Sequence, residues 1–173
     1  VPPDYEIMSE YTATVTAVPP DGRVVATQDI TVNITDVNEA PAFTSSATFN
    51  AAENQTSIGT ITTTDPDNDT VTYSLSGTDA SSISIDSSSG VLTFNSAPDY
   101  ETKSSYSATV TASDGTNSTA QTITVTITDV DDVAPVFTSS STFSAAENQT
   151  SIGTVTATDV DTNDASITFT VSG

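Results

Sequence analysis

Apolar residues alternate with serine and threonine along most of this chain, and the alternation has a period of two. Tyr106, Ala108, Val110 and Ala112 point one way along their segment, as do Ile123, Val125 and Ile127 along the next. The same holds for Tyr11, Ala13, Val15 and Ala17, then for Ile30, Val32 and Ile34. Shorter runs of the same kind are Val71, Tyr73 and Leu75, mirrored by Ile167, Phe169 and Val171. A period of two puts successive side chains on opposite faces of a strand, so each run predicts a strand with one buried face. Threonine, branched at Cβ, suits the solvated outer face. Ser87 to Gly90 and Asp114-Gly115 punctuate the runs as turns. No window has helical periodicity. Short one-sided strands separated by turns predict antiparallel sheets, and several such strands per unit predict a Greek-key β-sandwich.

The unit itself is visible as a repeat. The ten residues AAENQTSIGT occur at 51–60 and again at 145–154, a spacing of 94 residues. Pro3-Asp4-Tyr5-Glu6 recurs as Pro98-Asp99-Tyr100-Glu101, and each copy precedes YTATVTA or YSATVTA. Asp36-Val37-Asn38-Glu39-Ala40-Pro41 is matched by Asp129-Val130-Asp131-Asp132-Val133-Ala134-Pro135. Residues 41–134 then make one complete unit, 1–40 hold the closing half of another, and 135–173 hold the opening half of a third. A complete unit is large enough to bury a core. A few strands without their facing sheet are marginal in water.

Charge changes the picture from a fold to a chemistry. The chain carries 23 acidic residues against two basic ones, Arg23 and Lys103, with no histidine and a formal net charge of −21. That balance excludes nucleic acid and anionic lipid as partners. A disordered acidic chain is excluded by the regular alternation, and a halophile-type acidic surface would scatter its charges. Here the carboxylates recur inside the repeated markers, which predicts a shared cation. The chain has no cysteine, so neither disulfides nor thiolate sites can hold it, and a hard divalent ion could serve as cross-link instead. No signal peptide is evident and no apolar run approaches the roughly 20 residues of a membrane span. The chain reads as an interior segment of something longer, without membrane insertion of its own.

Two other readings of the carboxylates fail on the residues. Asp65-Pro66-Asp67-Asn68-Asp69 begins like an EF-hand loop, but Thr70 stands where the glycine is required and Ser76 where the glutamate is required. Paired carboxylates can hydrolyse glycosides, yet every recurrent one already belongs to a repeated marker, so no enzyme is expected. Asn33, Asn54, Asn68, Asn117 and Asn148 each open an Asn-x-Ser/Thr sequon, a match expected by chance in a chain so rich in threonine. Tyr5 and Tyr100 read as packing residues beside the acidic groups.

In order along one unit the markers are a Glu within AEN, a D-x-D, a P-D-Y-E, an A-S-D-G and a D-V-x-x-x-x-P linker. This order resembles the cadherin repeat, and the resemblance covers essentially the whole chain. The threonine-rich, lysine-poor composition and the DVNEAP linker look more like repeats of bacterial surface proteins than vertebrate ones. The resemblance implies tandem cadherin-type, immunoglobulin-like β-sandwiches with calcium at each inter-repeat linker. At the second linker it implies Glu53, Asp99 and Glu101 as ligands from the upstream repeat. Asp131 and Asp132, with the main-chain carbonyls of Val130 and Val133, would come from the linker, and Asp159 and Asp161 from downstream. At the first linker it implies Asp4, Glu6, Asn38, Glu39, Asp65 and Asp67, with Asp114 from the A-S-D-G segment. Asp36 and Asp129 are the weaker candidates. The first linker is one residue shorter than the second and has Glu39 where the family usually has Asp, while Asp131 replaces the usual Asn. Glu147 repeats Glu53 but would belong to a linker beyond residue 173.

The implied role is adhesion or extension at the cell surface or in a secreted protein. In one form the repeats are stalk units that calcium stiffens. In the other they engage a like repeat on another cell, homophilically, or a surface glycan. The serine and threonine surface, without an aromatic patch, favours the stalk.

Overall fold

The computed structural model describes residues 1–22, 26–161 and 167–173. Arg23 falls outside the described residues. All regular structure among those described is β. The strands are β1 (Glu10–Ala17), β2 (Ala26–Asn33), β3 (Ala42–Phe43), β4 (Thr48–Ala52), β5 (Ser57–Thr60), β6 (Thr63–Thr64) and β7 (Thr72–Ser76). They continue with β8 (Ile83–Ile85), β9 (Val91–Phe94), β10 (Ser105–Ser113), β11 (Ser118–Thr128), β12 (Val136–Phe137) and β13 (Ala157–Thr158).

The segments from β3 to β11 build a sandwich. One sheet has the order β4-β11-β10-β7, and facing it lie β5-β9-β8 and the short β3-β6 ladder. The alternation explains which face is inside. Ala108, Val110 and Ala112 of β10 and Ile123, Val125 and Ile127 of β11 are buried, while the intervening threonines remain partly or fully open to solvent. They close on Ile58, Ile61, Ile83, Leu92 and Phe94 from the other layer, with Phe43, Phe49, Tyr73, Leu75 and Tyr100 packed at the margin. Phe94 meets Tyr106 edge-on, with ring centroids 4.9 Å apart.

Two strands are interrupted. β3 and β4 belong to one extended stretch, as do β5 and β6, and each pair divides its partners between ladders. Counted as continuous strands they reduce the nine segments β3–β11 to the seven of a cadherin-type sandwich. The break between β5 and β6 falls at Ile61, whose N–H donates to Gly90 O at 2.9 Å while its side chain is buried. Gly90 is required there: its φ is +71°, and a Cβ would lie 2.3 Å from Ile61 O. One pairing departs from the antiparallel expectation. β4 runs parallel to β11, with Phe49 opposite Val125 and Ala51 opposite Ile127. Period-two patterning identifies a strand's inner face and says nothing about its neighbour's direction.

Lys103 serves this core. Its ammonium pairs with Asp79 and lies 4.6 Å from the centroid of the Tyr106 ring. Asp79 also accepts a hydrogen bond from Ser107 N at 2.8 Å, so one carboxylate ties the β7–β8 loop to β10.

The flanking residues show the same local geometry without the second layer. β1 and β2 pair with Tyr11 opposite Val32 and Ala13 opposite Ile30, as Tyr106 faces Val125 and Ala108 faces Ile123 in the β10–β11 hairpin. β12 and β13 repeat the β3–β6 ladder, Phe137 opposite Ala157 where Phe43 is opposite Thr63. What differs is cover. Ile30 and Val32 are 41% and 52% exposed, whereas Ile123 and Val125 are 0% exposed. Tyr5 is likewise exposed, unlike Tyr100 packed against the core.

Candidate metal centres at the two linkers

At the second linker the backbone brings the upstream markers together through Glu53. This residue follows β4, is 3% exposed, and its own N–H donates to Thr128 O at 3.2 Å. Its carboxylate accepts from Val130 N at Oε1 and from Tyr100 N at Oε2, both at 2.7 Å. One buried side chain thus fastens the linker and the PDYE loop to the end of the sandwich. Asp99 caps its own loop, accepting from Thr102 N at 3.0 Å and Thr102 Oγ1 at 2.9 Å. Glu53, Asp99 and Glu101 each present an oxygen within 4.8 Å of the others.

A second group adjoins the first and shares Glu101: Glu101, Asp129 and Asp161 also lie with oxygens within 4.8 Å of one another. Asp161 arrives from downstream. It is 5% exposed, and its Oδ2 accepts from Asp132 N at 3.1 Å and Val133 N at 2.9 Å. Its N–H donates to Asp159 Oδ1 at 3.2 Å, which orders the D-x-D turn. Its Oδ1 is buried without a hydrogen-bond partner. A buried carboxylate oxygen normally finds a donor, so an orphaned one on a residue grouped with other carboxylates fits a cation.

The first linker repeats much of this with different emphasis. Glu6, Asp36 and Asp67 lie with oxygens within 4.8 Å of one another. Asp67 Oδ2 accepts from Glu39 N at 2.9 Å, the counterpart of Asp161 holding the other linker. Asp65 Oδ1 accepts from Asp67 N and Asp69 N at 3.1 and 3.2 Å, and its Oδ2 is buried without a partner. Asp114 in the β10–β11 turn accepts from Thr116 N and Asn117 N, both 2.6 Å, and from Asn38 Nδ2 at 2.9 Å. Asn117 Nδ2 in turn donates to Asn38 O at 2.7 Å. Asp4 accepts from Ile7 N at 3.2 Å.

The gathered charges act on one another. Burial pushes the Glu101 carboxyl above its ordinary range, and the charges of Glu53, Asp161 and Asp129 push it further. Glu39 is raised by burial and then by Asp67, Asp36 and Asp4. In Glu6 its own backbone N–H pulls downward, but burial together with Glu39, Asp4 and Asp36 outweighs it. Asp79 is held low by Lys103 and Ser107, and Asp86 by Ser89 and Ser88. Raised carboxylates contribute stability below their unfolded values that is lost as pH rises through the folded ones; lowered carboxylates behave oppositely. In chelator, therefore, the melting temperature should rise as pH falls from 7 towards about 4.5, the ordinary glutamate value. It should drop again as pH falls below the ordinary aspartate value of about 3.8 towards the lower values to which Asp79 and Asp86 are held. A pH series of thermal melts checks this, and a monotonic decline from pH 7 would contradict it.

The carboxylates suggested by sequence thus converge on two places, with unequal shares. Asp36 and Asp129, the weaker candidates, stand inside the three-carboxylate groups. Asp4, Asn38, Glu39, Asp65, Asp114, Asp131, Asp132 and Asp159 are not members of these groups. Val130 and Val133 offer their N–H groups to Glu53 and Asp161. In sequence Asn54 and Asn117 stand out only as sequons, whereas in the structure Asn54 donates to Asp132 and Asn117 holds Asn38; the repetition of AEN is the available signal for the first. Every candidate donor is oxygen, carboxylate for the most part, a set that suits calcium or magnesium rather than a metal preferring imidazole or thiolate.

A family model for the cadherin domain matches residues 47–128. The chain belongs to the cadherin family. This cadherin segment is 34% identical over 162 residues to mouse (Mus musculus) Protocadherin Fat 4, covering 85% of this chain and 3% of that protein. It is 41% identical over 126 residues to human (Homo sapiens) Protocadherin-23, covering 66% of this chain and 4% of the relative. Among solved structures, Protocadherin Gamma B2 extracellular cadherin domains 3-6 superpose with a TM-score of 0.71 at 29% identity, covering 91% of this chain and 44% of that one. Human Protocadherin-24 EC1-2 gives a TM-score of 0.62 at 27% identity, with 72% and 62% covered. The segment therefore spans a few per cent of the length of the curated relatives it matches. Cadherins are an adhesion family without enzymatic members, so the family gives the paired carboxylates no catalytic role. Among the described residues no helix is long and apolar enough to cross a membrane.

Proposed function

We propose that this cadherin segment is a spacer in an extracellular adhesion protein, and that its junctions set the angle between successive repeats by binding calcium. Residues 41–134 are the complete repeat in this reading, with halves of its neighbours at 1–40 and 135–173. The observation that carries the proposal is Asp161. It reaches from downstream, is buried against the linker, groups with Glu101 and Asp129, and keeps one oxygen without a hydrogen-bond partner.

The residues divide the work. Glu53 and Asp161 fix the linker from its two sides through Val130, Asp132 and Val133. Glu101 stands between both groups and would be a ligand common to them, with Asp99, Asp129, Asp131, Asp132 and Asp159 completing the shell. Glu6, Asp36 and Asp67, with Asp4, Asn38, Glu39, Asp65 and Asp114, serve the first linker. Calcium when bound supplies positive charge and accepts six to eight oxygen ligands at about 2.3–2.6 Å. Without it, each close carboxylate pair costs on the order of several kcal/mol at an effective dielectric of about 20, and the linkers splay.

The surface favours spacing over direct engagement. From β3 to β11, Val91 alone of the described large apolar side chains is markedly exposed. The outer faces of β10 and β11 carry serine and threonine. Small-angle scattering in calcium and in chelator tests the proposal. The expected result is a longer, narrower distribution of distances with calcium, accompanied by a higher melting temperature; an unchanged radius of gyration overturns it.

A further inference from the structure

Asn54 has a conformation and a contact that the cation ligands do not explain. Its φ is +63°, in the left-handed region where asparagine is the best tolerated residue after glycine. Its N–H donates to Pro98 O at 3.0 Å, so the bend sits over the start of the PDYE loop. The side chain is thereby aimed across the junction, where Nδ2 donates to Asp132 Oδ2 at 2.5 Å. Asn54, Asp99, Glu101, Asp132, Val133 and Val160 line one concavity. Asp132 would otherwise face Asp99 and Glu101 with no counter-charge, and the repulsion would drive it outward into solvent.

From this geometry we infer that Asn54 is a positioning residue: it holds Asp132 at the rim of the Glu53–Asp99–Glu101 group before any cation arrives. The inference rests on the calcium reading proposed above. A neutral amide donor is suited to the task. It engages one carboxylate oxygen and leaves the other available, and it adds no positive charge that would compete with a cation. Holding a ligand in place beforehand removes part of the cost of gathering it at binding. The duplicated motif supplies a comparison within the same molecule. Asn148 has the same backbone bend, φ +64°, and lies outside both sets of junction carboxylates. The bend is therefore a property of the AENQ sequence, and the contact with Asp132 is a property of the junction.

Calorimetric titration of the full chain with calcium chloride separates these roles. Asn54→Gly keeps the left-handed bend and removes only the amide, while Asn148→Gly makes the same backbone change away from the junctions. Asn54→Gly should weaken calcium binding at the second linker about three- to tenfold relative to Asn148→Gly. Melting temperatures in chelator should be no higher for Asn54→Gly than for Asn148→Gly, since only the former loses a side-chain hydrogen bond. Equal affinities, or tighter binding by Asn54→Gly, overturn the positioning role alone. A wild-type chain that takes up no calcium overturns both this inference and the reading on which it rests.

Discussion

Replacing Glu53 by alanine should cost about 2–4 kcal/mol of stability and abolish cation binding at the second linker, whereas Glu147→Ala should change stability by less than about 0.5 kcal/mol. The two glutamates sit in the same ten residues. Glu53 is buried and satisfies two backbone donors at once, Val130 N and Tyr100 N. Truncation leaves both donors without an acceptor in a place water reaches poorly, and the cost of an unmade hydrogen bond there is large. It also frees the linker and the PDYE loop from each other, so the remaining carboxylates lose their common frame. Glu147 is exposed and anchors no linker in this chain. Glu53→Gln should fall between, since the amide keeps one acceptor and opposes a donor to the other N–H. Thermal melts in chelator read the stability and calorimetry reads the binding. Equal losses for the two alanine variants would show that the motif acts through its own sequence and not through the junction.

The second large contrast concerns the core. Ile123→Ala should destabilise the sandwich by about 2–5 kcal/mol, while Ile30→Ala should cost under about 1 kcal/mol. Both side chains lie at the same place in hairpins of the same register, Ile123 opposite Ala108 and Ile30 opposite Ala13. Ile123 is wholly buried against the opposing layer, so its loss opens a cavity between packed neighbours. Ile30 is 41% exposed and leaves no cavity. Denaturant unfolding of the two variants measures the difference, and near-equal values would mean that the β1–β2 hairpin acquires a covering layer in solution.

Much of the fold was legible in particular residues. Val110, Ile123, Val125 and Ile127 announce inward faces by spacing alone, and Asp114-Gly115 marks the turn that sets their register, with Gly115 at φ +97°. The acidic markers were legible as one constellation because they recur as a set. The finer geometry was not. Asp36 and Asp129 looked peripheral since they open the linkers, but the chain's return at Asp67 and Asp161 makes them central. The Asn54 contact spans 78 residues, a separation no local pattern can encode.

The repeats divide what local sequence decides from what folding decides. Sequence alone sets the alternation, the turn chemistry, the left-handed bend at Asn54 and Asn148, and the seat of a phenylalanine ring on a glycine. Phe49 covers Gly59 and Phe143 covers Gly153 in the same manner. Each of these depends on residues no more than about ten apart, inside one copy of the repeat, so both copies share them. Strand formation and carboxylate chemistry do not. Thr48–Ala52 is a strand because β11 pairs with it, and Ser57–Thr60 because β9 does. The nearly identical 142–146 and the identical 151–154 carry no strand. Hydrogen bonds of a ladder and the burial of a charge both need a partner brought from far along the chain. Glu53 finds one in the linker, and that meeting turns a repeated glutamate into a candidate ligand.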